Sequence, residues 1–407
     1  MRRTYVALFI AAALGCRDNS PLPLADRVGP ALDPSDYEVV ALGNLPSPAG
    51  PASEAAGINN RGQVVGWSGP GLPEPGRVDH AFLWQDGVMT DLGTLGGNSG
   101  RALFINDAGQ IAGWSTTPGD TDVHAFLWRD SVMTDLGTLG GTSSQPAGLN
   151  ASGMVVGHSS TTTGATHAFV WRGGSITDLG TLGGDYSSAL AVNDRGDVVG
   201  ESQTAAGQIH AFWWDGNTLH DLGTLGGATS TAHAVNNAGA ITGTSTDSAG
   251  QSHAFSWQDG VMLALPGPPG STSGNGTVIT NSGHAAGTVN GPGSFDVHGI
   301  LWIQGQNVDL GSFFPSRPRT VPVAINERGQ VAGAGTVNGS LSSLHAFIWE
   351  DGTLRDPGVP AGFNTSWANA VDQRGNLVGW MSRSAAPSSD TRTAVLWRLR
   401  RGGPATP

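Results

Sequence analysis

A five-residue phrase, His-Ala-Phe-x-Trp, recurs at His80, His124, His167, His210, His253 and His345, with degenerate copies at His298 and Thr393, at spacings of 43 to 48 residues. Self-similarity at a fixed period constrains the fold more than any local pattern, because each unit is one supersecondary element that buries its apolar faces only by stacking on the next. A second phrase, an aliphatic residue followed by Asn-x-x-Gly, stands at Asn59, Asn106, Asn150, Asn193, Asn236 and Asn326, with Thr280 and Asp372 in weaker copies. A third, Asp-Leu-Gly, occurs at Asp91, Asp135, Asp178, Asp221 and Asp309 and degenerates at Asp356 and Ala264. Its remaining copy, Ala41-Leu42-Gly43, precedes the first complete unit.

Each period divides into four short strands of alternating or β-branched character separated by Gly-rich turns. In the fourth unit they are expected at Ser187 to Asn193, Asp197 to Ser202, His210 to Trp214 and Thr218 to Leu222. Four strands in a period of about 40 to 50 residues is the pattern of a propeller blade. The chain opens with a fourth-strand sequence, Tyr37 to Gly43, and its last unit stops after a third strand, Thr393 to Trp397. The expected fold is therefore all-β: an eight-bladed β-propeller of four-stranded antiparallel blades. The N-terminal strand would complete the last blade and remove the exposed edges. The propeller is expected over residues 37–398, followed by a short tail, 399–407.

The repeated His-Ala-Phe-x-Trp and Asp-Leu-Gly-Thr-Leu-Gly-Gly phrases resemble the HAF repeat family, predicted extracellular repeats of bacteria. The resemblance covers about nine tenths of the chain, from Tyr37 to Trp397. It implies export and repetition and brings no activity with it. The paired, repeating Gly-His and Trp-Asp signature of WD repeats is absent, these dipeptides occurring only singly at Gly157-His158, Gly283-His284 and Trp214-Asp215, and the Asp-rich calcium loops of integrin-type blades are absent too.

Met1-Arg2-Arg3 followed by an apolar run from Tyr5 to Leu14 reads as an export signal over residues 1–15, too short to span a bilayer. The run ends at Ala13-Leu14-Gly15-Cys16, which resembles a bacterial lipoprotein signal that leaves Cys16, the only cysteine, as a lipidated first residue. Cleavage after Ala13 by an ordinary signal peptidase, giving a secreted chain, is the competing reading. A Pro-rich tether would then span residues 16–36. The expected address is the cell envelope, at the outer membrane or surface, and the membrane partner is reached through the lipid.

Composition narrows the function. Gly contributes 63 of 407 residues and charged residues 13 %, against about 25 % in ordinary domains. A net charge of −12 opposes a phosphate-tracking nucleic-acid role. The tryptophans at Trp84, Trp128, Trp171, Trp214, Trp257, Trp302, Trp349 and Trp397 are expected between neighbouring blades. The repeated histidines suggest a metal at first sight. With strands about 4.8 Å apart, however, equivalent residues on third strands lie roughly 14 Å from each other, far beyond the reach of one zinc. Each histidine is expected to bond a backbone group or the neighbouring blade, and each Asp of Asp-Leu-Gly to close a turn. Neither a metal nor another cofactor is implied.

Connections of fixed length, such as Trp84 to Asp91 and Asn59 to Gly62, are tight hairpins at one end of the blades. Both connections that vary in length open at the other end, where function is free to diversify. Five residues before each turn Asn or its equivalent, the units carry Glu54, Arg101, Gln145, Ser188, Thr231, Asn275, Val321 and Trp367, eight different residue types. These are expected to ring a channel mouth about 6 to 7 Å apart, with His233 and Asn369 joining the same wall. A second candidate is an aromatic platform of Trp67, Trp114 and Trp380, which follow the second-strand glycines. The leading functional expectation is a non-enzymatic, monomeric binding module for a glycan, peptide or protein. An exported hydrolase or lyase with acids in the channel and a structural envelope protein are the alternatives.

Overall fold

The computed structural model describes residues 36–46, 51–69, 78–293, 296–338, 343–383 and 392–400. Cys16 and the expected signal and tether lie outside these residues, as does most of the tail. Every named element among the described residues is a strand, and none is a helix long and apolar enough to cross a membrane.

The first strand, β1 (Tyr37–Gly43), is followed by an antiparallel meander of β2 (Ala52–Ile58), β3 (Val64–Gly69), β4 (His80–Gln85) and β5 (Val88–Asp91). This pattern repeats through five four-stranded sheets and one of twelve strands. The larger sheet divides into three four-stranded meanders, spanning 100–135, 140–178 and 183–221, where single parallel pairs link Ser143 to Val123 and Thr166 to Tyr186. The last sheet takes three strands from the C-terminal end, and its fourth is β1, paired antiparallel with Arg392–Leu399 from Tyr37↔Leu399 to Gly43↔Ala394.

The meanders bury their faces against one another. Trp84 shares a core with Val378, Ala394 and Leu396 of the last sheet, Trp171 with Ala112 and Leu127 of the meander before its own, and Trp349 with Ala286 and Leu301. Six of the eight repeated tryptophans are buried, and Trp128 and Trp257 are half-buried. Burying a side chain of this size contributes roughly 2–3 kcal/mol each. The apolar phrase Ala-Phe supplies the rest, with Ala81, Phe82, Phe126 and Phe212 fully enclosed.

A β-bulge interrupts every inner strand at the same place: between Ala55 and Gly57, Ala189 and Ala191, Ala368 and Ala370, and at the equivalent positions of the other five. Beside the bulge, the inner strand's backbone lies close against the second strand. A Cβ on Gly66 would collide with the carbonyl oxygen of Glu54, and Gly200 stands in the same relation to Ser188. The second-strand glycine is thus required by a close backbone approach, not by a turn.

Candidate functional site

Glu54 pairs directly across the ladder with Trp67, Arg101 with Trp114, Gln145 with His158 and Trp367 with Trp380. The two candidate sets are therefore one belt of cross-strand pairs near the variable ends of the sheets, since directly opposed residues share a face. Successive sheets are tied through it. Thr231 donates to Glu201 Oε2 at 2.8 Å, and Glu201 also accepts from the Tyr186 hydroxyl at 2.9 Å. That contact and burial push the tyrosine up to about 12, with burial the larger cause. Thr244 donates to Asn275 Oδ1 at 2.6 Å.

The open aromatic platform expected from Trp67, Trp114 and Trp380 is not formed. Trp67 and Trp380 are buried, because a guanidinium covers each: Arg101 lies 4.2 Å from the Trp67 ring centroid and Arg392 lies 4.3 Å from that of Trp380. Trp114 is half-buried, 5.9 Å from Arg101. Both guanidinium groups are held by carboxylates, Arg101 by Asp79 at 2.7 and 2.9 Å and Arg392 by Glu54 at 2.5 Å. Asp79 is itself buried, in the connection leading to β4. Arginine is the residue for this double task, stacking on a ring with its face while its edge meets a carboxylate.

His233 and Asn369 occupy bulge positions, so strand alternation does not place them. Each reaches the next sheet, His233 Nδ1 bonding Gly276 O at 2.9 Å and Asn369 donating to Ala55 O at 2.9 Å and to Glu54 Oε1 at 3.2 Å. Ser188 is buried, whereas Val321 and Trp367 are half-buried. Gln145 is exposed and its side chain has no hydrogen bond among the described residues. Burial lowers the basicity of its cross-strand partner His158. Beside Asn275, Thr244 and Thr288 lies a cavity of about 200 Å³, walled also by Ser252, Ser273 and Asn290.

The expected bond to backbone on the neighbouring sheet is seen at His345, with Asn364, but the bond common to the repeated histidines is to an aspartate of their own sheet. His80 Nδ1 meets Asp91 at 2.6 Å, and His124, His167, His210, His298 and His345 meet Asp135, Asp178, Asp221, Asp309 and Asp356 in the same way. The other carboxylate oxygen closes the expected turn, as in the Gly93 N–H donated to Asp91 Oδ1 at 2.8 Å. Where Ala264 replaces the aspartate, His253 turns its Nε2 to Asp247 instead. Among the described residues no three His, Cys, Asp or Glu side chains are placed to hold one metal ion.

At the opposite ends of the sheets the repeated asparagines form a belt that motif reading alone left out. Asn59 Nδ2 donates to Asn106 O, Asn106 to Asn150 O, Asn150 to Asn193 O and Asn193 to Asn236 O, at 2.8–3.0 Å.

No protein-family model matches this sequence, and no curated protein does. Among solved structures, the chain is similar to the β-propeller domain of the Trilobed protease from Pyrococcus furiosus, at 9 % identity over 76 % of this chain and 98 % of that one, with a TM-score of 0.51. It is also similar to the acylaminoacyl peptidase of Pyrococcus horikoshii (10 % identity, 81 % of this chain, 57 % of that one, TM-score 0.45). A puromycin-hydrolyzing peptidase of Mycobacterium tuberculosis matches at 14 % identity over 84 % and 60 % of the two chains, with a TM-score of 0.45. The chain spans less than two thirds of the length of these two peptidases. The first likeness, together with the repeated antiparallel sheets, makes the fold a β-propeller.

Proposed function

We propose that the chain is an exported, eight-bladed, closed propeller, anchored through a lipid on Cys16, that binds a glycan, peptide or protein at the variable ends of its blades without transforming it. Closure is supported by the pairing of β1 with Arg392–Leu399 and by bonds from the last sheet to the first, including Asn369 to Ala55 and the Ala394 N–H to Ser53 Oγ. Export and anchoring rest on the N-terminal sequence and on the resemblance to HAF repeats.

The binding reading is carried by one observation: eight near-identical backbones present eight different residue types at one belt position, paired across the ladder with a second variable set. A repeat that holds its core and hairpins while varying one belt has the composition of a scaffold carrying a site. The cavity beside Asn275 offers hydroxyl and amide groups, which suit sugar hydroxyls and peptide amides. The belt acids are engaged, Glu54 by Arg392 and Asn369 and Glu201 by Tyr186 and Thr231, an arrangement that favours binding over paired acid–base chemistry.

A glycan and peptide array probed with the parent protein tests this, followed by titration of the ligand found. Gln145→Ala and Asn275→Ala are expected to weaken binding by about tenfold. Affinity unchanged in both would overturn the belt as the site.

A further inference from the structure

A cavity of about 490 Å³ lies at the junction of the first and last sheets, at the end opposite the belt. Arg61, Arg374, Arg398 and Arg400 line it, with Asp86 as the one carboxylate among its lining residues. In a chain whose 20 basic residues are all arginine and whose net charge is −12, four at one cleft is a concentrated positive field. All four are exposed. Arg398 approaches Glu38 only at 3.7 Å, whereas the guanidinium groups of Arg61 and Arg374 have no hydrogen bond or ion pair among the described residues. Ile58 and Leu399, half-buried, give the cleft an apolar floor.

We propose that this cleft binds a phosphate group, with Arg61 and Arg374 on its oxygens, Arg398 and Arg400 beside them, and the organic body of the ligand on Ile58 and Leu399. A single guanidinium fork satisfies a planar carboxylate. A tetrahedral phosphate, with more oxygens and more charge, uses several forks at once. The source of the phosphate is either a soluble ester or a lipid headgroup. A headgroup is within reach of the geometry because β1 enters at this end, its Tyr37 opposite Leu399, so the N-terminal segment leaves the fold beside the cleft.

The test uses the full chain carrying Cys16→Ser, so that no acyl chain contributes. Glycerol 3-phosphate and succinate are titrated by calorimetry, and flotation is measured with phosphatidylcholine vesicles with or without phosphatidylglycerol. Expected is saturable binding of glycerol 3-phosphate, of phosphatidylglycerol vesicles, or of both, the two arms separating soluble from lipid phosphate. Binding should weaken about tenfold or more in Arg61→Gln and Arg374→Gln. It should be unchanged in Arg172→Gln, an exposed arginine at the same end of a different sheet. Absence of binding in both arms, equal binding by all three variants, or succinate bound as tightly as the phosphate ester would overturn the proposal.

Discussion

The backbone N–H of Gln373 donates to Oδ1 of Asn60 at 2.9 Å, although the two residues are 313 positions apart. The same bond runs from meander to meander around the fixed ends: Ala151 N–H to Asp194, Asp194 to Asn237, Asn237 to Asn281, Asn281 to Glu327, Glu327 to Gln373, and Asn60 to Asp107. In each, the residue after the turn Asn or its equivalent gives its N–H to the side chain of its counterpart on the next meander. One step lacks an acceptor, because Ala151 stands where Asp107 would find one. Ala151→Asn is expected to supply it and to raise stability by about 0.5–1 kcal/mol, measured by urea unfolding. Unchanged or reduced stability would count against the belt as a cohesive element.

Arg101 secures two things at once, the buried Asp79 and the face of Trp67. Arg101→Leu removes the guanidinium from a buried carboxylate and is expected to cost about 3 kcal/mol. Adding Asp79→Asn should recover a large part of that loss. If the double variant is as unstable as the single, the pairing does not explain the cost.

Gly200→Ala places a methyl group against the bulge carbonyl of Ser188, where backbone rather than a movable side chain must yield. A loss of about 3 kcal/mol is expected. A change below about 0.5 kcal/mol would mean that the bulge relaxes freely.

The Asp356 hydrogen bond raises the pKa of His345 against the opposing effect of burial. The folded state thus holds the proton more tightly than the unfolded chain, whose histidine titrates near about 6.5. The resulting stabilisation is fully present below that pH and is lost as pH rises through the folded value. Replacing His345 with Asn should give a stability deficit that shrinks as pH rises above about 6.5, read from urea unfolding at each pH. A deficit that grows with pH contradicts the pairing.

What the sequence discloses follows from what repeats. The four strands of the fourth unit, though not the start of the first, which begins at Gly183 rather than Ser187, the burial of Trp84 and Trp349 and the pairing of Tyr37–Gly43 with the last unit are legible because apolar period and hairpin length are local properties. The partner of His80 was also within reach: His and Asp stay 11 residues apart in each paired unit, and the one unit with Ala264 is the one whose histidine turns elsewhere. The cover over Trp67 was not, because Asp79 sits in a connection of variable length and has no repeated counterpart to align. Nor was the inner-strand bulge, since one extra residue leaves no compositional mark, although the glycine facing it is itself a repeated letter.

Electron density at the variable ends of the sheets, in a structure of protein purified from its native source, tests the binding role most directly. The expected result is an ordered non-solvent molecule against Gln145, Asn275 or Trp367. A bound molecule seated only at the opposite ends, among Asn150, Asp194 and Glu327, with nothing but water along the belt, would contradict it.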